Sequence, residues 1–374
     1  MKVKIHTLFE YLLETTDSKP EAIIGYSQSQ SPKLGSFMND LDPELSLDWN
    51  NVDFRGLPSL RTHIRREANL QELCEKEDVL VTAGAAEANY LAMMQLLEPE
   101  DEIIIETPGW PQAGVISKAI GCTQRYLERK EKDSWSFPMN KLEEVINKRT
   151  KIIFLTNPNN PTGQRFSSKE MHTLVDYARS VDAWLIVDEV YAGLEWEGGP
   201  RSPSIAGMYE KGITTGSVSK SLGLQGLRCG WLICTDKDLI RDAIILRENS
   251  SEIMNIMGEV IAEIAMRPER YKIALANAHA DGLANLEKLD TFVSSNPRLS
   301  WVKPQAGLIG LAKLSDGISS VDFTRKLLAD PYRTFLMPGI AYDQPNHIRI
   351  GVGGGSEARL EVGLSRLSDL LLNW

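Results

Sequence analysis

Through the middle of the chain, short apolar runs alternate with amphipathic stretches, the pattern of a mostly parallel β-sheet flanked by helices on both faces. Strands are predicted at 79–82 (VLVT), 102–106 (EIIIE), 151–156 (KIIFLT), 184–187 (WLIV) and 213–217, and helices at 84–97, about 141–148 and 168–181. From about residue 241 the pattern becomes helical, through NSSEIMNIMGEVIAEIAM to roughly residue 289. A mixed segment follows, with short strands near Trp301, Ile309 and 347–351, and a closing helix over 356–372. This predicts an α/β protein in three parts: an N-terminal arm over 1–45, a large domain over 46–270 and a smaller α/β C-terminal domain over 271–374. No repeat or long linker separates them, so the two domains should pack with a cleft between them.

Composition narrows the function. At 374 residues the chain exceeds the size at which a single core keeps growing, and 42% hydrophobic with 25% charged residues is ordinary for a globular protein. A net charge of -10 argues against a nucleic-acid or anionic-membrane surface, which leaves small molecules as partners. Cys74, Cys122, Cys229 and Cys234 lack CxxC spacing and read as reduced thiols. The five histidines lie far apart, so no metal site is indicated. His6, Glu10 and Glu14 interrupt the N-terminal apolar residues, and no later run approaches a membrane span, so the cytoplasm is the expected location.

In open α/β sheets, ligands bind beyond the carboxyl ends of the strands. Four such ends carry chemistry. After VLVT comes AGAAEANY, where backbone amides at Ala85 and Ala86 open a helix and can hold a phosphate; small residues also open helices for packing alone. After KIIFLT comes NPNNPTG, in which Asn160 offers an amide at the sheet edge or simply belongs to a turn. After WLIV comes Asp188 of DEVY, a carboxylate that needs a cation or a donor, or else caps the next helix, with Tyr191 one turn further. After the fourth strand, GSVSKSLGLQGLRCGW holds Ser217, Lys220 and Arg228. A partly buried lysine has a lowered pKa and forms a Schiff base with a carbonyl, whereas a surface lysine does not.

Taken together, an amine, phosphate donors, an arginine and a carboxylate describe a receptor for pyridoxal 5'-phosphate. NPNNPTG, DEVY after an apolar strand and SVSKSLGLQGLRCGW, in that order, resemble the class I/II aminotransferases of fold type I, from about Gly25 to the C-terminus. The resemblance implies that Lys220 carries the cofactor as a Schiff base and moves the proton, and that Asp188 pairs with the pyridine nitrogen. It implies that Asn160 and Tyr191 bind the ring oxygen, and that Ala85, Ala86, Ser217 and Arg228 hold the phosphate. Trp110 of ETPGWPQAG stands where the family stacks an aromatic on the ring, though it also reads as a core tryptophan. Arg349 of NHIRIGVG stands where the family grips the substrate α-carboxylate.

The activity implied is ping-pong transfer of an amino group from an amino acid to a 2-oxo acid, by a homodimer. One departure stands out: well-known members place a tyrosine five residues before the glycine of FRGLPSLR, for the phosphate of the neighbouring subunit, and here that position is Asn51, with Trp49 and Phe54 nearby. No second arginine suits a distal carboxylate, and the polar segment GYSQSQSPKLG suits a polar or cationic side chain. That segment and MPGIAYDQPNHIRIGVG also resemble, more loosely, the capreomycidine synthases, family members that cyclise a hydroxylated arginine. The alternative activity is therefore a pyridoxal-phosphate-dependent cyclase or lyase.

Overall fold

The apolar runs form the centre of one seven-stranded sheet. In the structure, a computed structural model that describes residues 3–48, 53–196, 201–353 and 357–374, its order is β2 (Val79–Thr82), β8 (Gly230–Ile233), β7 (Gly212–Ser217), β6 (Trp184–Asp188), β5 (Thr150–Thr156), β3 (Glu102–Thr107), β4 (Thr123–Glu128). Only β8 runs against its neighbours, β2 and β7; the other pairs are parallel.

Strand β3 shows why the runs are continuous. Ile103 and Ile105 pack toward α3 (Ala85–Leu96) and α7 (Lys237–Arg247), while Ile104 packs toward α5 (Met139–Val145) and α6 (Ser168–Ser180). Side chains alternate across a strand, so a sheet covered on both faces needs apolar residues at every position. Each fully buried isoleucine stabilises the fold by about 1.5–3 kcal/mol. Helix α6 starts on a capping box, in which Ser167 Oγ accepts from the Glu170 amide at 3.3 Å and Glu170 accepts from the Ser167 amide at 2.8 Å.

Two strands of this sheet lie outside the predicted set. β4 is an edge strand of sequence TQRYLE with only Leu127 buried, so it has no apolar run to read. β8 opens at Gly230, where a Cβ would fall 2.5 Å from the Ala85 amide nitrogen. The glycine lets β8 lie at backbone distance from the start of α3, and it also shortens the apolar signal.

A second, antiparallel sheet has the order β12 (Met337–Pro338), β13 (His347–Gly351), β10 (Ile309–Leu314), β9 (Leu299–Trp301). It is packed by α9 (Pro268–Ser295) and α11 (Glu357–Leu372) through Leu286, Leu289, Leu364 and Leu367. The chain start joins this part of the molecule: β1 (Ala22–Ile23) pairs in parallel with β11 (Thr334–Phe335), and α1 (Thr7–Glu14) buries Leu8 and Tyr11 beside Phe335 and Met337. The remaining helices are α2 (Pro58–Glu67), α4 (Gln112–Ile120), α8 (Ile256–Ala265) and α10 (Ser320–Leu328). Among the described residues, no helix is long and apolar enough to cross a membrane, and no group of three or more His, Cys, Asp or Glu side chains could hold a metal ion.

Candidate active site

The residues that follow β2, β3, β5, β6 and β7 meet those of β13 and the N-terminal arm around one cavity of about 300 Å³. Ala85, Ala86, Trp110, Asn160, Asp188, Tyr191, Ser217, Lys220, Arg228 and Arg349 all line it. Residues of the large sheet that are distant in sequence thus share one space, because its parallel strands all present their carboxyl ends to it, and β13 of the second sheet adds Arg349.

Lys220 lies three residues past β7, partly buried, with its Nζ 3.3 Å from Ser27 Oγ and 5.7 Å from the centre of the Tyr191 ring. Tyr191 donates its own hydroxyl to Ser27 Oγ at 2.8 Å. Burial pushes the Lys220 amine down to about 8; repulsion from Arg349 and Arg228 adds to this, and attraction to Asp188 partly offsets it. An amine with that value is half neutral at about pH 8, and the neutral form is the nucleophilic one.

Asp188 ends β6 fully inside the protein. Its Oδ2 accepts from Asn89 Nδ2 at 2.9 Å and its Oδ1 from the Val190 amide at 3.2 Å. Burial raises its pKa, and the two hydrogen bonds and Lys220 work against that rise. The segment after Asp188 is a turn rather than a helix, closed by Ala192 N to Glu189 O at 3.0 Å and Leu194 N to Tyr191 O at 3.2 Å. Asp188 therefore caps no helix. Tyr191 still reaches the cavity, because the chain turns at once to form a bridge between Glu195 and Ala306.

At the other end, Arg228 leaves a short turn in a left-handed conformation, φ 50°, and bonds only to the Gln225 and Ala83 carbonyls at 3.2 and 3.3 Å. It faces the first turn of α3, where the Ala85 and Ala86 amides have no acceptor within the helix. Gly84, the residue before α3, has φ +84°, and a Cβ there would fall 2.5 Å from Arg228 Nη2. The space between guanidinium and helix start thus depends on this glycine. Ser217 Oγ accepts from the Ser219 amide at 3.3 Å and lines the same end.

Arg349, on β13, is buried without a carboxylate partner among the described residues. Its Nη2 donates to Gly25 O at 2.7 Å, and its Nη1 to Asn160 Oδ1 at 3.3 Å and to the Tyr342 hydroxyl. Its Nε has no partner. An uncompensated buried cation is costly, so the geometry calls for an anion from outside the chain. Trp110 meets Phe9 of α1 edge to face at 5.9 Å. Asn51 and Trp49 lie outside the described residues; Phe54 is partly exposed.

Sequence profiles of known families resolve what these parts belong to. That of aminotransferase class I and II matches residues 50–367. The chain belongs to this family. The chain is 26% identical to the arginine–pyruvate transaminase AruH of Pseudomonas aeruginosa over 333 residues, covering 86% of this chain and 82% of that one. It is 24% identical to capreomycidine synthase of Streptomyces vinaceus, over 88% and 85% of the two chains. Its fold matches a crystal structure of a PLP-dependent aminotransferase from Streptococcus suis with a TM-score of 0.90 at 26% identity, over 100% and 99% of the chains. The family uses amino acid and 2-oxo acid substrates, and these relationships imply pyridoxal 5'-phosphate as cofactor.

The residues present fit that group. The Arg228 guanidinium and the first amides of α3, brought together at Gly84, offer donors to an anion, and the same cavity holds a buried carboxylate and an amine. Sequence reasoning missed Asn89, Ser27 and Tyr342. Asn89 is held by Thr215 Oγ1, which donates to its Oδ1 at 2.7 Å, and so aims its amide at Asp188. Its only sequence signal is position: Ala85 and Asn89 are four apart and share a face of α3. Ser27 and Tyr342 follow no strand of the large sheet, and nothing local marks them.

Proposed function

We propose that the protein is a pyridoxal 5'-phosphate-dependent aminotransferase that acts on an amino acid by ping-pong transfer to a 2-oxo acid. The observation that carries this reading is Arg349, a buried guanidinium with no acid partner among the described residues that faces the same cavity as the Lys220 amine. A carboxylate bound there by two parallel hydrogen bonds places an amino acid's Cα toward Lys220.

When bound, the cofactor supplies an aldehyde that condenses with amines and a ring that draws electron density away from Cα. The Ala85 and Ala86 amides, the Ser217 hydroxyl and Arg228 hold its phosphate, with the helix dipole of α3 adding to the attraction. Asp188, oriented by Asn89 and the Val190 amide, would pair with the ring nitrogen. Asn160 and Tyr191 would bind the ring oxygen, and Trp110 would stack on the ring. Lys220 Nζ, held near Ser27, would be the base that takes the proton from the substrate Cα. Ser27 and Tyr191 keep the amine oriented.

The test is a single turnover. Purified yellow protein mixed with a reactive amino acid and no 2-oxo acid should lose its visible absorption once, retain the amino nitrogen, and recover its colour when a 2-oxo acid is added. The second reading, elimination and ring closure on an arginine-type substrate, uses the same residues and is favoured by the likeness to capreomycidine synthase. Sustained turnover without an acceptor, with the α-nitrogen kept in a ring, would replace the first reading by the second.

A homodimer is part of the proposal. Leu34, Met38, Leu47 and Phe54, near the FRGLPSLR segment, are exposed apolar residues of the kind that a partner subunit covers. Sedimentation at assay concentration should give a dimer; a fully active monomer contradicts it.

A further inference from the structure

We propose that the side chain of the substrate is neutral and apolar, a linear aliphatic or thioether chain; this rests on the aminotransferase reading above. The first observation is a count of charges. Among the described residues of this chain, the cavity is lined by four charged side chains, Asp188, Lys220, Arg228 and Arg349. Each already has a role at the cofactor or at the α-carboxylate. None remains for a distal carboxylate, guanidinium or ammonium group, and burying such a group without a partner is strongly unfavourable.

The second observation is what forms the remaining wall. Helix α1 contributes Leu8, 1% exposed, and Leu12, and they join Met337 and Trp110 along the cavity. Leu8 and Met337 belong to one buried cluster with Tyr342, the residue that meets Arg349, and Leu12 and Trp110 pack against it. The helix is fixed there. Tyr11 donates to Leu336 O at 3.1 Å, Glu14 pairs with Arg325 at 2.7 Å, and Phe9 meets Trp110 edge to face. An apolar surface is thus built in the cavity beside Tyr342, the residue that meets Arg349.

The third observation concerns the polar segment GYSQSQS, whose composition suggests a polar side chain. Its serine hydroxyls are occupied elsewhere, which leaves Tyr26 and the Gln28 amide as its polar contribution to the cavity wall. Ser27 Oγ accepts from Tyr191 and Lys220, Ser29 donates to the Lys220 and Ser221 carbonyls at 2.8 and 3.0 Å, and Ser31 accepts from Gln225 at 2.9 Å. The segment is polar because it clamps the Lys220 loop.

The experiment uses the holoenzyme with an excess of 2-oxo acid and compares alanine, norvaline, norleucine, leucine and methionine with aspartate, glutamate, lysine and arginine. Initial rates give kcat/KM, and spectral titration with the unreactive α-methyl forms of norleucine, aspartate and arginine gives binding without turnover. We expect affinity to rise by about fourfold per methylene from alanine to norleucine, and every charged amino acid to fall at least about tenfold below norleucine. Leu12→Glu, at a half-buried position and with an unchanged cofactor spectrum as the check on folding, should lower kcat/KM for norleucine at least about tenfold and raise it for arginine. Preference for aspartate or arginine by the wild-type protein overturns the inference and leaves the aminotransferase reading standing. A cofactor spectrum that responds to none of these amino acids overturns both.

Discussion

Lys220→Ala should abolish turnover and remove the site at which borohydride fixes the cofactor to the protein, while the chain still folds and still binds pyridoxal 5'-phosphate through Arg228 and the start of α3. Loss of the general base alone is worth about 10²–10⁴-fold, and loss of covalent capture compounds it. The wild-type adduct should map to Lys220 by peptide analysis; an adduct on another lysine removes the assignment. The same residue sets a pH dependence. In the apoprotein the amine must be neutral to condense with the aldehyde, and burial with Arg349 and Arg228 lowers its pKa to about 8. The rate of cofactor capture should therefore climb as pH rises through 8 and level off above it, rather than keep rising toward the value of about 10.4 expected of a solvated lysine. Arg349→Leu should move that midpoint upward, because Arg349 is the largest of the charges that lower it. An unchanged midpoint would place the two cations further apart than the shared cavity does.

Much of this site is legible in the sequence, for a physical reason. Strand β6 is apolar until its last residue, so Asp188 after WLIV contrasts with its surroundings, and Lys220, three residues past GITTGS, is the one charged residue between Lys211 and Arg228. Because parallel strands open at one edge, marking several strand ends is enough to gather distant residues into one place. Strand β4, whose TQRYLE buries only Leu127, and strand β8, whose GWLI is four residues long and opens on glycine, escape the same logic. So does the arm. Ser27 touches Lys220 only because β1 pairs with β11 and the chain beyond it is drawn across the Lys220 loop, with Ser29 N bonded to Lys220 O at 3.1 Å. That contact spans 193 residues and has no local signature. The composition of the arm points toward a polar substrate, yet its hydroxyls serve the protein itself and the leucines of α1 face the cavity.

Asp188→Asn should leave cofactor binding within a few fold of wild type and lower kcat by about 10²-fold or more, the scale on which removing one preorganised electrostatic group acts. Asparagine keeps the side-chain oxygen that accepts from the Val190 amide at 3.2 Å, but it puts an NH2 where Oδ2 accepts from Asn89 Nδ2 at 2.9 Å. The loss beyond that of Asn89→Ala, which removes this hydrogen bond and keeps the carboxylate, is then the part due to charge. The charge matters because Asp188 is buried, its carboxylate disfavoured by desolvation and supported in the free protein by Asn89, Val190 and Lys220. A protonated ring nitrogen brought to that carboxylate relieves the cost and is itself stabilised, so each group holds the other in its charged form. Neutral asparagine cannot do this, and the ring then loses its proton and most of its capacity to accept electrons from Cα. Asn89→Ala should show the same defect more weakly, since it removes a hydrogen bond of 2.9 Å but not the charge. If Asp188→Asn turns over at the wild-type rate, Asp188 is a turn residue, and the electrostatic part of the mechanism fails with it.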